Sequence, residues 1–130
     1  MIVLDASALL ELLLVTASGR QLAERIRPAG ISLHAPHLVD VEVAQAVRKY
    51  VLAGAISGER GRLALQHLAE LDLERYSHTP FLQRIWALRE NLTAYDATYV
   101  ALAEVLHATL LTSDQRIASA PGIQAAVELV

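Results

Sequence analysis

Four carboxylates, Asp5, Glu42, Asp96 and Asp114, stand at equivalent points along this chain. Asp5 directly follows Ile2-Val3-Leu4, a short apolar run suited to a β-strand. Glu42 lies in the first turns of the helical stretch that follows Pro36. Asp96 opens the helical stretch 94–107, and Asp114 follows the β-compatible run Thr109-Leu110-Leu111-Thr112. In a parallel sheet, the strand ends and the starts of the helices that follow them share one edge, and ligands bind at that edge. Each acid also has a plainer reading. Asp5 and Asp114 can cap the helices behind them. Thr93-Ala94-Tyr95-Asp96 has the form of an acidic capping box, and Glu42 can be a solvated residue near a positive helix end.

Four carboxylates meeting at one edge would repel one another and raise each other's pKa. The stretch after Asp96 (Val100, Ala101, Leu102, Ala103, Val105 and Leu106) is almost wholly apolar, so Asp96 stands at the mouth of a buried helix, against low dielectric. A divalent cation would resolve the conflict. An all-oxygen donor set suits Mg²⁺ or Mn²⁺, which keep several waters and accept phosphate oxygens. His34 and His37 have a spacing that metals use, but no further nitrogen or sulfur ligand completes a zinc site. Such a site holds a polyanion without a basic surface, in keeping with a net charge of −3.

The elements that must position these residues alternate along the chain. Short β-compatible runs fall at 2–4, 31–34, 73–76, 109–112 and 126–129. Helical stretches are predicted at 6–15, 18–27, 38–53, 57–71, 80–91, 94–107 and 115–120. Gly and Pro act as punctuation between them. Strand and helix in alternation predict a parallel sheet covered on both faces. The chain of 130 residues is the size of one domain, and its 54% hydrophobic content excludes disorder. The absence of cysteine excludes disulfides and thiol chemistry. The longest apolar stretch, from Ala8 to Ala17, is too short to span a bilayer and carries Glu11. No basic residue precedes the first apolar run, so a signal peptide is not expected. The chain reads as a soluble, cytoplasmic protein with no membrane contact. Trp86, Tyr76 and Phe81 read as core residues. There is no G-x-x-x-x-G-K-[ST] phosphate loop and no G-x-S-x-G elbow.

Four segments resemble the PIN-domain nucleases, most closely the VapC toxins of toxin–antitoxin pairs. They are Met1-Ile2-Val3-Leu4-Asp5-Ala6-Ser7-Ala8-Leu9-Leu10, residues 35–44 around Glu42, Leu92-Thr93-Ala94-Tyr95-Asp96-Ala97-Thr98-Tyr99-Val100-Ala101-Leu102-Ala103, and Leu110-Leu111-Thr112-Ser113-Asp114, in the family's order. The resemblance implies a single PIN domain over 1–130, with a five-stranded parallel sheet of order 3-2-1-4-5 between helices. It implies a Mg²⁺- or Mn²⁺-dependent endoribonuclease whose acids are Asp5, Glu42, Asp96 and Asp114, supported by the hydroxyls of Ser7 and Thr112. It also implies inhibition by a VapB-type antitoxin. Some relatives carry a further acid shortly after the fourth; Gln115, Arg116, Ile117 and Ala118 supply none. Arg89 and Arg116 lie near the acidic segments and can meet RNA phosphates or pair with the acids. A PIN-like binding module with little or no cleavage is the alternative.

The partner surface is read from the first helical stretch. Leu9, Leu10, Leu12, Leu13, Leu14 and Val15 point nearly all the way round it. A sheet covers only one side, so the rest is either buried by other helices or exposed as an apolar groove. The second reading predicts a homodimer that takes an amphipathic antitoxin segment along this helix and the central helical pair.

Overall fold

A computed structural model describes residues 1–130. Five strands, β1 (Ile2–Leu4), β2 (Leu33–Pro36), β3 (Leu73–Tyr76), β4 (Thr109–Thr112) and β5 (Val127–Leu129), form one sheet of order β3-β2-β1-β4-β5. Every neighbouring pair is parallel, with registers such as Ile2↔Leu33, Val3↔Leu110 and Leu110↔Val127. The fold class, sheet size and strand order are those expected. The two central strands are apolar because both of their faces are covered: Val3, Leu4, Leu110 and Leu111 are completely enclosed.

The helices are α1 (Ala6–Leu13), α2 (Ala17–Ile26), α3 (Leu38–Leu52), α4 (Gly58–Glu70), α5 (Leu82–Ala87), α6 (Ala94–Leu106) and α7 (Gln115–Ala118). The chain steps from β1 through β2 to β3 in one direction, then returns to β4 and β5 in the other. Right-handed crossovers therefore put α1 to α4 on one face and α5 to α7 on the opposite face. Seven consecutive residues of α6, Ala97 to Ala103, are buried where it crosses β1, β2 and β4. Each enclosed side chain the size of Leu102 contributes roughly 2 kcal/mol. No helix is long and apolar enough to cross a membrane.

Three elements differ from the sequence reading. Strand β2 begins two residues later than 31, because Pro28 to Ile31 are used in a turn closed by Ile31 N–H on the Pro28 carbonyl, with Gly30 at φ 88°. Pro36 ends β2 beyond the β1 ladder and pairs only with β3, where its missing N–H is tolerated. The stretch 80–91 holds only a 3₁₀ turn (Thr79–Phe81) and the short α5, which buries none of its residues. Trp86 on α5 is therefore 68% exposed and not a core residue; Phe81 is buried and Tyr76 half-buried, hydrogen-bonded to His34. Helix α1 ends at Leu13, and Val15 turns the chain at φ 54° into α2. There Gly19 lets α2 lie directly on α1: a Cβ at Gly19 would stand 1.8 Å from the Glu11 carbonyl oxygen.

Candidate active site

The strand order reverses between β1 and β4, and the crevice at their carboxyl ends is where the four acids arrive. Asp5 is the N-cap of α1. One carboxylate oxygen accepts the Ala8 N–H at 2.8 Å and the Ser7 hydroxyl at 2.7 Å, and the other accepts the Thr112 hydroxyl. Thr112 Oγ1 in turn accepts the Asp114 N–H at 2.9 Å, and Ser7 Oγ accepts the Ser113 N–H at 2.9 Å. The Ser7 and Thr112 hydroxyls thus bind the end of β1 to the end of β4. Burial still dominates these bonds: Asp5 is 3% exposed, and its pKa lies above the ordinary value of 3.8.

Glu42 lies in the second turn of α3 and Asp96 in the first turn of α6. Thr93 caps α6 by accepting the Asp96 N–H at 3.1 Å. Burial raises the pKa of both acids, and neighbouring carboxylates raise them further. Asp96 and Asp5 act on Glu42, Asp114 acts on Asp96, and Asp96 acts on Asp5. Asp5, Glu42 and Asp96 therefore share one electrostatic environment, and Asp114 adjoins it. Asp114 itself behaves oppositely. It caps α7 and accepts the Arg116 guanidinium at 2.6 Å, which holds its pKa below the usual range. No three carboxylate or imidazole groups stand close enough to form a preassembled ion cage.

Arg89 and Arg116 are both exposed and line one cleft with Thr93 and Asp96. Of the two roles open to them, Arg116 pairs with an acid and Arg89 does not. Asp40, two residues before Glu42, faces away from the acids and holds Arg75 through two 2.8 Å bonds. His34 is buried with its ring nitrogens bonded to Tyr76 (2.9 Å) and Ser32 (2.8 Å), so it has no nitrogen free for a metal.

Tyr99 was not foreseen as a site residue. Its hydroxyl, enclosed with the rest of the side chain, donates to Glu42 Oε1 at 2.8 Å and has its pKa pushed far up by burial and by Glu42. A signal was present, since Tyr99 is three residues after Asp96 and so shares its helix face. The donor set fits a hard divalent cation: it is all carboxylate and hydroxyl oxygen, and three of its acids carry raised pKa values that a positive charge would relieve.

The PIN domain family matches residues 2–123. Ribonuclease VapC12 of Mycobacterium tuberculosis is 44% identical over 130 residues, covering 100% of this chain and 99% of that protein. A crystal structure of a Pyrobaculum aerophilum protein superposes with a TM-score of 0.71 at 24% identity, over 97% of this chain and 87% of that one. A toxin–antitoxin complex from Klebsiella pneumoniae gives 0.67 at 22% identity, over 98% and 96%. At these identities the two structures share the fold. The chain belongs to the PIN domain family and, within it, to the group of the VapC ribonucleases.

Proposed function

We propose that this protein is an endoribonuclease toxin, a single PIN domain over residues 1–130 that hydrolyses RNA phosphodiesters in the cytoplasm with Mg²⁺ or Mn²⁺. The observation that carries this reading is the gathering of buried Asp5 with half-buried Glu42 and Asp96, each raised in pKa by desolvation and by a neighbouring carboxylate. Its relationship to the VapC ribonucleases supports the choice of RNA. Asp5, Asp96, Asp114 and Glu42 would hold the cation. Once bound, the ion would lower the pKa of attacking water and stabilise charge on the phosphate.

The chain's own residues prepare that site. Ser7 and Thr112 fix the Asp5 carboxylate from two sides. Tyr99 fixes Glu42. Arg89 and Arg116 stand on the rim, where they meet substrate phosphates; Arg116 is then shared between phosphate and Asp114. No histidine lies among these groups, so no imidazole base takes part. Mapping product ends tests the reading. Mg²⁺-dependent cleavage leaving 5′-phosphate and 3′-hydroxyl ends is expected, abolished by EDTA. Metal-independent cleavage with 2′,3′-cyclic phosphate ends, or RNA binding without cleavage, would overturn it.

Tyr99 is assigned as a positioning residue. Tyr99→Phe removes one hydroxyl and leaves the packing unchanged. A hydrogen bond to a charged group contributes about 1.5–3 kcal/mol, so cleavage should fall about tenfold. The Mg²⁺ concentration for half-maximal rate should rise with it, which a purely structural role for Tyr99 would not produce.

We also propose a homodimer restrained by a VapB-type antitoxin. Leu10, Leu14, Tyr50 and Ile56 line an apolar groove beside the end of α1, and Val47, Val51, Leu52 and Leu65 line a second between α3 and α4. These are the two surfaces an amphipathic segment and a second copy would cover. Leu13 is half-buried against the core and does not line the first groove, whereas Leu14 does.

A further inference from the structure

Trp86 is the one tryptophan of the chain, and the fold leaves it 68% exposed. Helix α5, which carries it, buries none of its residues. Exposing a ring of this size gives up the burial that aromatic residues normally supply. The ring is nevertheless held in place. The Arg89 guanidinium carbon lies 4.7 Å from its centroid, and Arg89 Nη1 donates to the Trp86 carbonyl at 3.0 Å. Arg89 has no carboxylate partner, and it lines the acidic cleft beside Thr93, Asp96 and Arg116. An aromatic ring, a cation without a carboxylate partner and the candidate catalytic acid Asp96 therefore follow one another along the rim.

We propose that Trp86 is a stacking platform for an unpaired RNA base. The nucleotide beside the scissile phosphate would lay its base on the open face of the ring, while Arg89 covers the other face and meets the backbone phosphate. Stacking faces combined with cationic tracking are how single-stranded nucleic acids are held, and stacking is available to every base. A base in a duplex is already stacked and cannot reach the platform. Trp86 thus selects single-stranded or looped RNA over duplex and imposes no sequence by itself. Charge decides between RNA and a protein partner. The residue that orients the ring is a cation facing an anion-processing cleft, and the only other large apolar side chain exposed on α5 is Leu82.

This inference deepens the ribonuclease reading and rests on it, and one set of measurements separates the two. Because Trp86 is the only tryptophan, fluorescence excited at the red edge of its absorption, where the four tyrosines scarcely absorb, reports its environment. In the Asp96→Asn protein, titration with a short single-stranded RNA should quench Trp86 emission in step with the anisotropy of the labelled RNA. A duplex of equal length should not quench it. In an otherwise unaltered protein, Trp86→Ala should raise KM for single-stranded RNA about tenfold, with kcat changed less than about twofold. Trp86→Phe should recover most of the loss, and light scattering should give the same mass for all three proteins. Saturating anisotropy with unchanged Trp86 emission would overturn the platform. So would a Trp86→Ala protein that changes mass but not KM, which would make this face a protein contact. Cleavage without quenching removes the platform and leaves the nuclease; quenching without any cleavage does the reverse.

Discussion

Asp96→Asn is expected to lower RNA cleavage at least about a hundredfold, since even losses outside the ligand set of a metal site cost up to that much. The variant isolates chemistry from folding. The local bond that starts α6 is made by the Asp96 backbone, whose N–H is accepted by Thr93 Oγ1, and Asn keeps it. Asn also has nearly the same volume, so the buried run from Ala97 to Ala103 should pack as before. The loss is the negative charge, which burial has made costly and which gains its value from a cation. Initial rates at saturating Mg²⁺, with circular dichroism to confirm folding, check the prediction. A folded variant of near wild-type rate would remove Asp96 from the site. Asp5→Asn should be equally inactive but is harder to interpret, because Asp5 also caps α1 and takes the Thr112 hydroxyl from β4.

That double duty explains how legible the site was. Helix capping and ligand binding are alternative readings of Asp5 and Asp114 in the sequence, and the structure shows both acids as caps. A cap residue sits at the junction of strand and helix, so the position that satisfies backbone N–H groups is also the position that faces the ligand edge. The acids could therefore be read from their spacing after apolar runs. Tyr99 was hidden for the opposite reason. It lies inside an apolar run; its spacing puts it on the Asp96 face of the helix, but that spacing does not tell a core tyrosine from one whose hydroxyl reaches another helix. The pairing of Arg116 with Asp114 depends on how α7 turns after β4, and so could not be chosen over phosphate binding in advance. Trp86 was misplaced because its burial depends on tertiary neighbours that α5 lacks, not on its residue type. The shift of β2 has the same origin. Ile31 and Ser32 have β-compatible side chains, but the turn at Pro28 and Gly30 takes up Ile31, and the sheet pairs from Leu33 onward.

The same three acids predict an inverse relation between activity and stability. Asp5, Glu42 and Asp96 have higher pKa values in the folded protein than the ordinary 3.8 and 4.5, so the folded state binds their protons more tightly than the unfolded chain does. Their contribution to stability therefore declines as pH rises from about 4 through the raised values, and the penalty is complete above them. Asp114 acts in the other direction, since Arg116 lowers its pKa; its contribution is present above 3.8 and is lost only as pH falls through that lowered value. At neutral pH and in EDTA, Asp96→Asn should accordingly melt above the wild-type protein, and the gap should close below about pH 4 as Asp96 takes up its proton. Divalent cation should reverse the order. Ligand at a hundred times its Kd adds about 2.7 kcal/mol to the state that binds it, which in a domain of this size is about 10 °C in Tm. Mg²⁺ or Mn²⁺ should raise the wild-type Tm by about that amount and the Asp96→Asn Tm by far less. Melting curves with and without cation at pH 7 and pH 4 decide the matter. Equal shifts in both proteins, or a variant that melts lower in EDTA, would mean that Asp96 is not held in its place at the expense of the fold.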